Sequence, residues 1–254
     1  MYKIPPHSTQ FIGQHIMYEA ICASTNTLAD QCLRNKALPE GTVVITDHQY
    51  QGRGQRGNAW YSEPYKNLTF SVVLYPTFLA PSQSFALNIV TTLALLRVLS
   101  AYVPNDLTTK WPNDIYFQDQ KLSGVLIENV VESQQLKSSV IGIGLNVNQE
   151  HFHEERPTSL VRVCGRTLDL QSVLVQLLAA LERVYLQLQA QGMAPLQAAY
   201  LKNMYWIHET HTFQDATGRF QGKIRGINAV GQLVIERTAG TLKPYNLQEI
   251  SFVA

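Results

Sequence analysis

The sequence predicts an α+β fold: a sheet flanked by helices up to about residue 207, then a small β-barrel over 208–254. Two observations predict it. Up to residue 207, apolar runs of strand length are interspersed with long helical stretches that contain no breaker. Beyond it, strands become short and alternating, and turn residues such as "DATG" and "NAVG" separate them. A barrel of roughly 45 residues is marginal alone, so it should pack on the larger part.

The elements follow in order. "STNTLADQCLRNK" (24–36) predicts a helix capped near Ser24 to Asn26. "GTVVITDHQ" and "NLTFSVVLYP" (67–76) read as buried strands. "SQSFALNIVTTLALLRVLSAY" (82–102) is apolar on most sides and predicts a buried helix capped by Ser82 or Ser84. "LTTKW" is a short strand, and "DIYFQDQKLSGVLIENVV" a hairpin turning at Gln118 to Gln120. "SSVIGIGLNVN" (138–148) is a strand with two glycines where a backbone or ligand can approach closely. "LQSVLVQLLAALERVYLQLQAQG" (170–192) is an amphipathic helix ending at Gly192, and "APLQAAYLKNMY" is another helix.

Composition excludes several function classes. Hydrophobic residues are 45% of the 254, charged residues 15%, and the net charge is +1. Nothing in that balance draws the chain to nucleic acid or to a membrane, so any anion site must be local. Cys22, Cys32 and Cys164 form no C-x-x-C pair, which argues against a disulfide framework or a zinc site. With no signal pattern at "MYKIPPHSTQ" and no bilayer-length apolar run, a cytoplasmic protein is expected.

Three stretches could carry chemistry. In "GRGQRGNAW" (52–60), glycines let amides face a ligand, and Arg53 and Arg56 offer guanidinium forks to phosphate or carboxylate. Alone, it fits a solvated loop equally well. It is neither a Walker A loop nor a Rossmann turn. In "KWPNDIYFQDQKLSGVLIE" (110–128), Lys110, Asn113, Asp114 and Lys121 crowd around a Trp-Pro that restrains the chain. Two lysines suit an anion and a carboxylate can hold Mg²⁺. A solvated hairpin with ordinary lysines is the bland alternative, but it leaves Gly124 in an apolar strand unexplained. In "IGIGLNVN" (141–148), Asn146 inside the strand needs an amide partner, which a base edge could supply, though a turn-forming asparagine fits as well. His151 and His153 have an H-x-H spacing, but beside Glu154 and Glu155 they read as a solvated loop.

Together these stretches resemble the biotin–protein ligase family. The resemblance runs in order through "STN" (24–26), "GRGQRGNAW", "KWPNDIY" (110–116), "KLSGVLIE" (121–128) and "GIGLNVN" (142–148), and more weakly through the C-terminal part. It implies a mixed-sheet catalytic domain over 1–207, of the class II synthetase-like, biotin/lipoate ligase type, and an SH3-like barrel over 208–254. It implies ATP and Mg²⁺, with biotin activated as biotinyl-5′-AMP and passed to a lysine of a biotin carboxyl carrier domain of an acyl-CoA carboxylase. By the same resemblance, Ser24, Thr25, Gln49, Gly52, Arg53 and Gly124 hold biotin. Lys121, Arg53 and Lys110 are the catalytic cations. Arg56, Trp60, Asn113 and Asn146 serve the nucleotide, and Asp114 the metal. Many relatives read G-R-G-R-x-G, with the fourth-position arginine helping to retain the adenylate. Here that position is Gln55, which carries no charge, so either Arg56 or Arg53 substitutes or the adenylate is held less firmly. Only 23 residues precede Ser24, too few for the helix-turn-helix of the family's repressor members, so a monofunctional ligase that does not bind DNA is expected. The edge of the central sheet leaves a homodimer open.

Three rivals stand beside this reading. A lipoate–protein ligase shares the adenylation logic, and the pocket shape separates the two. A non-catalytic relative would capture biotin without transferring it. An interaction protein built on the barrel would not explain why cations and glycines recur in two separate segments.

Overall fold

The computed structural model describes residue 2 and residues 8–35, 38–103, 105–154, 156–238 and 240–253, without the side chain of Arg56. Its spine is a seven-stranded sheet of β1 (Ile16–Cys22), β2 (Val43–Gln49), β3 (Leu68–Leu74), β4 (Leu107–Lys110), β5 (Asp114–Phe117), β6 (Gln120–Glu132) and β7 (Gln135–Leu145). The order is β1-β2-β3-β7-β6-β5-β4. The sheet is mixed, because β1 and β2 run parallel while the other neighbours are antiparallel.

Both faces of this sheet are covered, which is why β2 reads as a continuous apolar run. Alternate residues point to opposite faces. Val44 joins Ala29 of helix α1 (Thr25–Asn35) in a small core with Val73 and Val140. Val43 and Ile45 face the main core, with α2 (Phe85–Leu99) and α4 (Leu170–Gln191). With its leading 3-10 turn, α2 is long and apolar enough to cross a membrane, yet most of that stretch is buried inside the protein. Short helices α3 (Leu160–Cys164) and α5 (Ala194–Lys202) complete this part.

The expected helices from 24 and from 82 are present but capped differently. Ser24 contributes its carbonyl to Leu28 N (2.9 Å), whereas the Thr25 and Asn26 side chains turn inward. Ser84 occupies the cap position of α2 without a side-chain cap bond, and the preceding turn is closed by Ala80 N donating to Gln83 Oε1 (3.1 Å). Lys36, the expected end of the first helix, lies outside the described residues. The strand expected over 138–148 runs from Gln135 to Leu145, so Asn146 lies one residue past its end. Strand β1 was not predicted. Its outer half is exposed, so its sequence lacks the alternation that marks a half-buried strand.

A buried carboxylate fixes the N-terminal segment. Glu182 of α4 is 5% exposed and accepts the backbone N–H groups of Gln10, Phe11 and Ile12 at 2.6, 2.8 and 2.8 Å.

A second, antiparallel sheet consists of β8 (Thr210–Asp215), β9 (Gly218–Ile227), β10 (Leu233–Arg237), β11 (Leu242–Tyr245) and β12 (Ser251–Val253). Its order is β11-β10-β9-β8-β12, and the pairings among the described residues leave β11 and β12 as edges rather than closing a barrel. Phe213, Ile224, Leu233, Ile235 and Tyr245 are buried and continuous with the main core. Trp111 Nε1 donates to the Gly231 carbonyl (2.9 Å), tying the two sheets together.

Candidate active site

A cavity of about 400 Å³ opens where the glycine loop, the β5–β6 hairpin and strand β12 meet. Its floor is a hydrogen-bonded array of small polar side chains. Thr25 N and Oγ1 donate to Gln49 Oε1 at 2.9 and 3.3 Å. Ser71 Oγ lies 2.7 Å from Thr25 Oγ1 and 2.6 Å from Asn26 Oδ1. Asn26 Nδ2 donates to the Leu126 carbonyl (3.1 Å) and to Glu128 Oε2 (2.8 Å). Arg53 donates to that same Glu128 oxygen at 2.7 Å. The chain of contacts thus runs unbroken from Gln49 on the floor to the loop arginine at the rim.

The loop itself is a small hairpin. Arg53 and Ala59 form an antiparallel bridge, Gly54 N donates to the Asn58 carbonyl (2.7 Å), and Trp60 N donates to the Gly52 carbonyl (2.9 Å). Gly52 is required sterically, because a Cβ there would overlap the Trp60 carbonyl and crowd Gln49 Nε2. This hairpin delivers the Trp60 indole onto the Gly124–Gly144 cross-strand pair, where a Cβ on Gly144 would overlap the ring. The face of Gly124 expected to meet substrate therefore carries an indole. Trp60 Nε1 is buried and has no partner among the described residues.

Opposite the loop, adjacent strands bring charges together. Lys121 Nζ pairs with Asp114 Oδ2 at 2.7 Å and stands 5.6 Å from the Trp60 ring. Lys110 Nζ lies among aromatic rings, 4.5 Å from the Tyr116 centroid, 5.1 Å from Phe252 and 5.4 Å from Tyr205. It donates to Tyr116 Oη (3.3 Å). Burial, helped by the like charges of Arg156 and Lys121 and opposed by Asp114, lowers the Lys110 ammonium to about 8. Burial first, then the Asp114 charge, raises the Tyr116 hydroxyl to about 12.

Ser24, Thr25, Gln49, Arg53, Trp60, Lys110, Asn113, Asp114, Lys121 and Gly124 all line this cavity. Gly52 lines the adjoining open groove outside the loop. Asn113 Nδ2 donates to the Val125 carbonyl. Asn146 is 2% exposed and lies behind the cavity wall: its Nδ2 donates to the Thr158 carbonyl (2.9 Å), and its Oδ1 has no partner among the described residues. The Arg56 side chain lies outside the described residues. His151 and His153 are exposed, and among the described residues no group of three potential metal ligands occurs.

Sequence reasoning missed Asn26, Arg156 and the C-terminal contributors Leu247, Ile250, Ser251 and Phe252. Asn26 was signalled by its place in "STN". Arg156 sits among the histidines and glutamates of a segment that reads as solvated. Nothing in the local pattern of β12 announces that it reaches the site.

A protein-family model described as "Biotin/lipoate A/B protein ligase family" matches residues 18–146, more than half of the chain and most of the cavity. The chain belongs to the biotin/lipoate A/B protein ligase family. Among curated members of this ligase family, it is similar to the "Bifunctional ligase/repressor BirA" of Bacillus spizizenii. The two are 31% identical over 244 residues, covering 94% of this chain and 74% of that protein. It is similar also to the "Biotin--[acetyl-CoA-carboxylase] ligase" of Paracoccus denitrificans, 30% identical over 230 residues, covering 87% and 94%. Among solved ligase structures, the biotin protein ligase from Aquifex aeolicus in complex with biotin and ATP superposes with a TM-score of 0.78 at 27% identity, covering 94% of this chain and 98% of that one.

Proposed function

We propose that the chain is an ATP-dependent, AMP-forming biotin–protein ligase working in the cytoplasm. It condenses biotin with ATP to biotinyl-5′-AMP and pyrophosphate, then passes the biotinyl group to a lysine of a biotin carboxyl carrier domain of an acyl-CoA carboxylase. The observation that carries the proposal is convergence. Arg53, Lys110 and Lys121 come from separate segments and line one cavity whose floor is neutral and rich in hydrogen-bonding groups. A carboxylate and a triphosphate repel each other, so a site that joins them must screen charge at one end and seat a neutral ring at the other.

In this reading the Ser24, Thr25 and Gln49 side chains and the Gly52–Arg53 backbone hold the ureido ring. Lys121 stands at the biotin carboxylate and the α-phosphate, oriented by Asp114. Lys110 and Arg53 balance the remaining phosphate charge. Trp60, Asn113 and Arg56 form the nucleotide side, Asn146 supports that side from behind the wall, and Gly124 gives the backbone access to biotin. That access requires the Trp60 indole to move, so the 52–60 hairpin rearranges as substrate enters. Asp114 suits Mg²⁺, which takes one or two protein carboxylates and fills its other positions with phosphate oxygens and water. When bound, the ion would supply screening of the phosphate charge. Transfer follows when the carrier amine attacks the acyl carbon. The C–O bond to phosphate breaks, AMP leaves and the amine loses a proton.

The test is incubation with ATP, Mg²⁺ and either biotin or lipoate, following pyrophosphate and acyl-adenylate. Biotin-dependent adenylate that is passed to a carrier domain is expected, with Lys121→Ala abolishing its formation. Adenylate with lipoate alone, or tight biotin binding without adenylate, would overturn the proposal.

A further inference from the structure

Four cations line the main cavity among the described residues: Arg53, Lys110, Lys121 and Arg156. Their surroundings differ. Glu128 holds Arg53 and Asp114 holds Lys121, each at 2.7 Å. Lys110 is enclosed by the rings of Tyr116, Tyr205 and Phe252. Arg156 is exposed and enters no ion pair among the described residues. The carboxylates at this end are already engaged, Asp114 by Lys121 and Asp119 by Tyr205 Oη, which donates to it at 2.6 Å. A guanidinium keeps its charge throughout the working pH range, and its planar fork fits two oxygens of a phosphate.

The backbone fixes where that charge stands. Pro157 biases the residue before it toward extended backbone, and it forms a parallel bridge with Lys121. Lys121 N donates to the Arg156 carbonyl (2.8 Å), and Thr158 N donates to the Lys121 carbonyl (2.9 Å). Residues 156–158 are thereby tied to the strand that carries Lys121. The Arg156 charge is felt on the Lys110 side. Burial lowers the Lys110 ammonium, and the Arg156 and Lys121 charges push it further the same way. The Tyr116 and Tyr205 hydroxyls, raised first by burial, are drawn back by Arg156. Lys110, Lys121 and Arg156 thus share one end of the cavity with one lining carboxylate among the described residues, Asp114. Like charges gathered in this way oppose one another, and an anion entering from outside relieves the repulsion.

Adenylation delivers such an anion. A biotin carboxylate oxygen attacks the α-phosphorus, the bond from that phosphorus to the oxygen bridging to the β-phosphate breaks, and its electron pair leaves on pyrophosphate. No proton moves. With Lys121 at the α-phosphate, the charge that accumulates on the leaving group lies beyond it. We propose that Arg156 binds the β- and γ-phosphates of ATP through its guanidinium fork and stabilises pyrophosphate as it leaves. The proposal rests on the ligase reading above.

The test compares the full chain with its Arg156→Ala and Arg156→Lys variants, with Mg²⁺ present throughout. The side chain is exposed, so neither change empties a core position. Binding of inorganic pyrophosphate, of AMP and of biotin alone is measured by calorimetry, and the KM for ATP by biotin-dependent pyrophosphate release. Arg156→Ala is expected to weaken pyrophosphate binding and to raise the KM for ATP, each about tenfold, the effect of one lost hydrogen bond between charged groups. AMP and biotin should bind as before. Arg156→Lys should recover only part of the loss, because it keeps the charge and lacks the fork. Unchanged pyrophosphate binding and KM for ATP in Arg156→Ala would overturn the proposal. So would an equal weakening of AMP binding, which would place the guanidinium at the α-phosphate. Failure of the ligase reading looks different: the unmodified chain would form no biotin-dependent adenylate, whatever the substitutions do to pyrophosphate binding.

Discussion

Lys110 shows how the cavity alters the chemistry of a single residue. An exposed lysine stays charged to about pH 10, but this one, enclosed by Tyr116, Tyr205 and Phe252, titrates near 8. The sign follows from burial, which disfavours the charged form. Its positive charge is present below pH 8 and lost as the pH rises through it, while the unfolded chain keeps its proton to about 10. The KM for ATP should therefore climb between pH 7.5 and 9, and Lys110→Met should start from a higher KM and show a flat profile. A wild-type profile that stays level to pH 9.5 would exclude Lys110 from phosphate binding. Glu128 is the second informative residue, because one of its oxygens accepts from both Asn26 and Arg53. It lies outside the cavity and acts through the arginine it holds. Glu128→Ala and Arg53→Ala should each raise the KM for ATP. Combined, they should be non-additive by about 0.5–1 kcal/mol, as suits a partly exposed pair. Strict additivity would mean the contact positions nothing.

At the scale of elements, β6 and β7 and the loop above them form one device. Gly124 and Gly144 face each other across the strands, and the Trp60 ring rests on them. Gly144→Ala should therefore expel the indole. Its expected signature is a red-shifted, more quenchable tryptophan fluorescence and a 52–60 segment cut faster by protease than in the parent. Unaltered fluorescence would mean that the ring is accommodated elsewhere. Helix α4 has a different task. Its Glu182 carboxylate accepts three backbone N–H groups of the segment before β1. Glu182→Ala leaves Ile12 N buried and unpaired and the part-buried Gln10 and Phe11 donors without their partner, and should lower stability by about 3 kcal/mol. Urea denaturation measures this directly, and a loss under about 1 kcal/mol would show that water replaces the carboxylate freely.

For the whole molecule, the question is whether the two sheets are separate units. The change of sheet near residue 208 marks the boundary we propose between topological parts. Yet Phe213, Ile224, Ile235 and Tyr245 share one apolar core with α2 and α4, and Trp111 is bonded to Gly231 across the junction. We therefore expect a single calorimetric unfolding transition, with the calorimetric enthalpy matching the van't Hoff value. Two resolved transitions would show that the second sheet folds by itself.

Local signals in the sequence determined much of this. Apolar runs and breaker-free stretches placed most strands and helices, because covering both faces of a sheet forces continuous hydrophobicity into β2 and β3. The glycine-and-cation motifs likewise marked most of the cavity wall, since glycines in strands and clustered cations are costly without a ligand to meet. Tertiary structure alone decided the rest. It seated Trp60 on Gly124, put Asn146 behind the wall, enclosed Lys110 in rings from two sheets, and brought Phe252 and Arg156 to the site. Each of these depends on segments far apart in the chain meeting in space, and side-chain environment, unlike periodicity, leaves no trace in a residue's own neighbours.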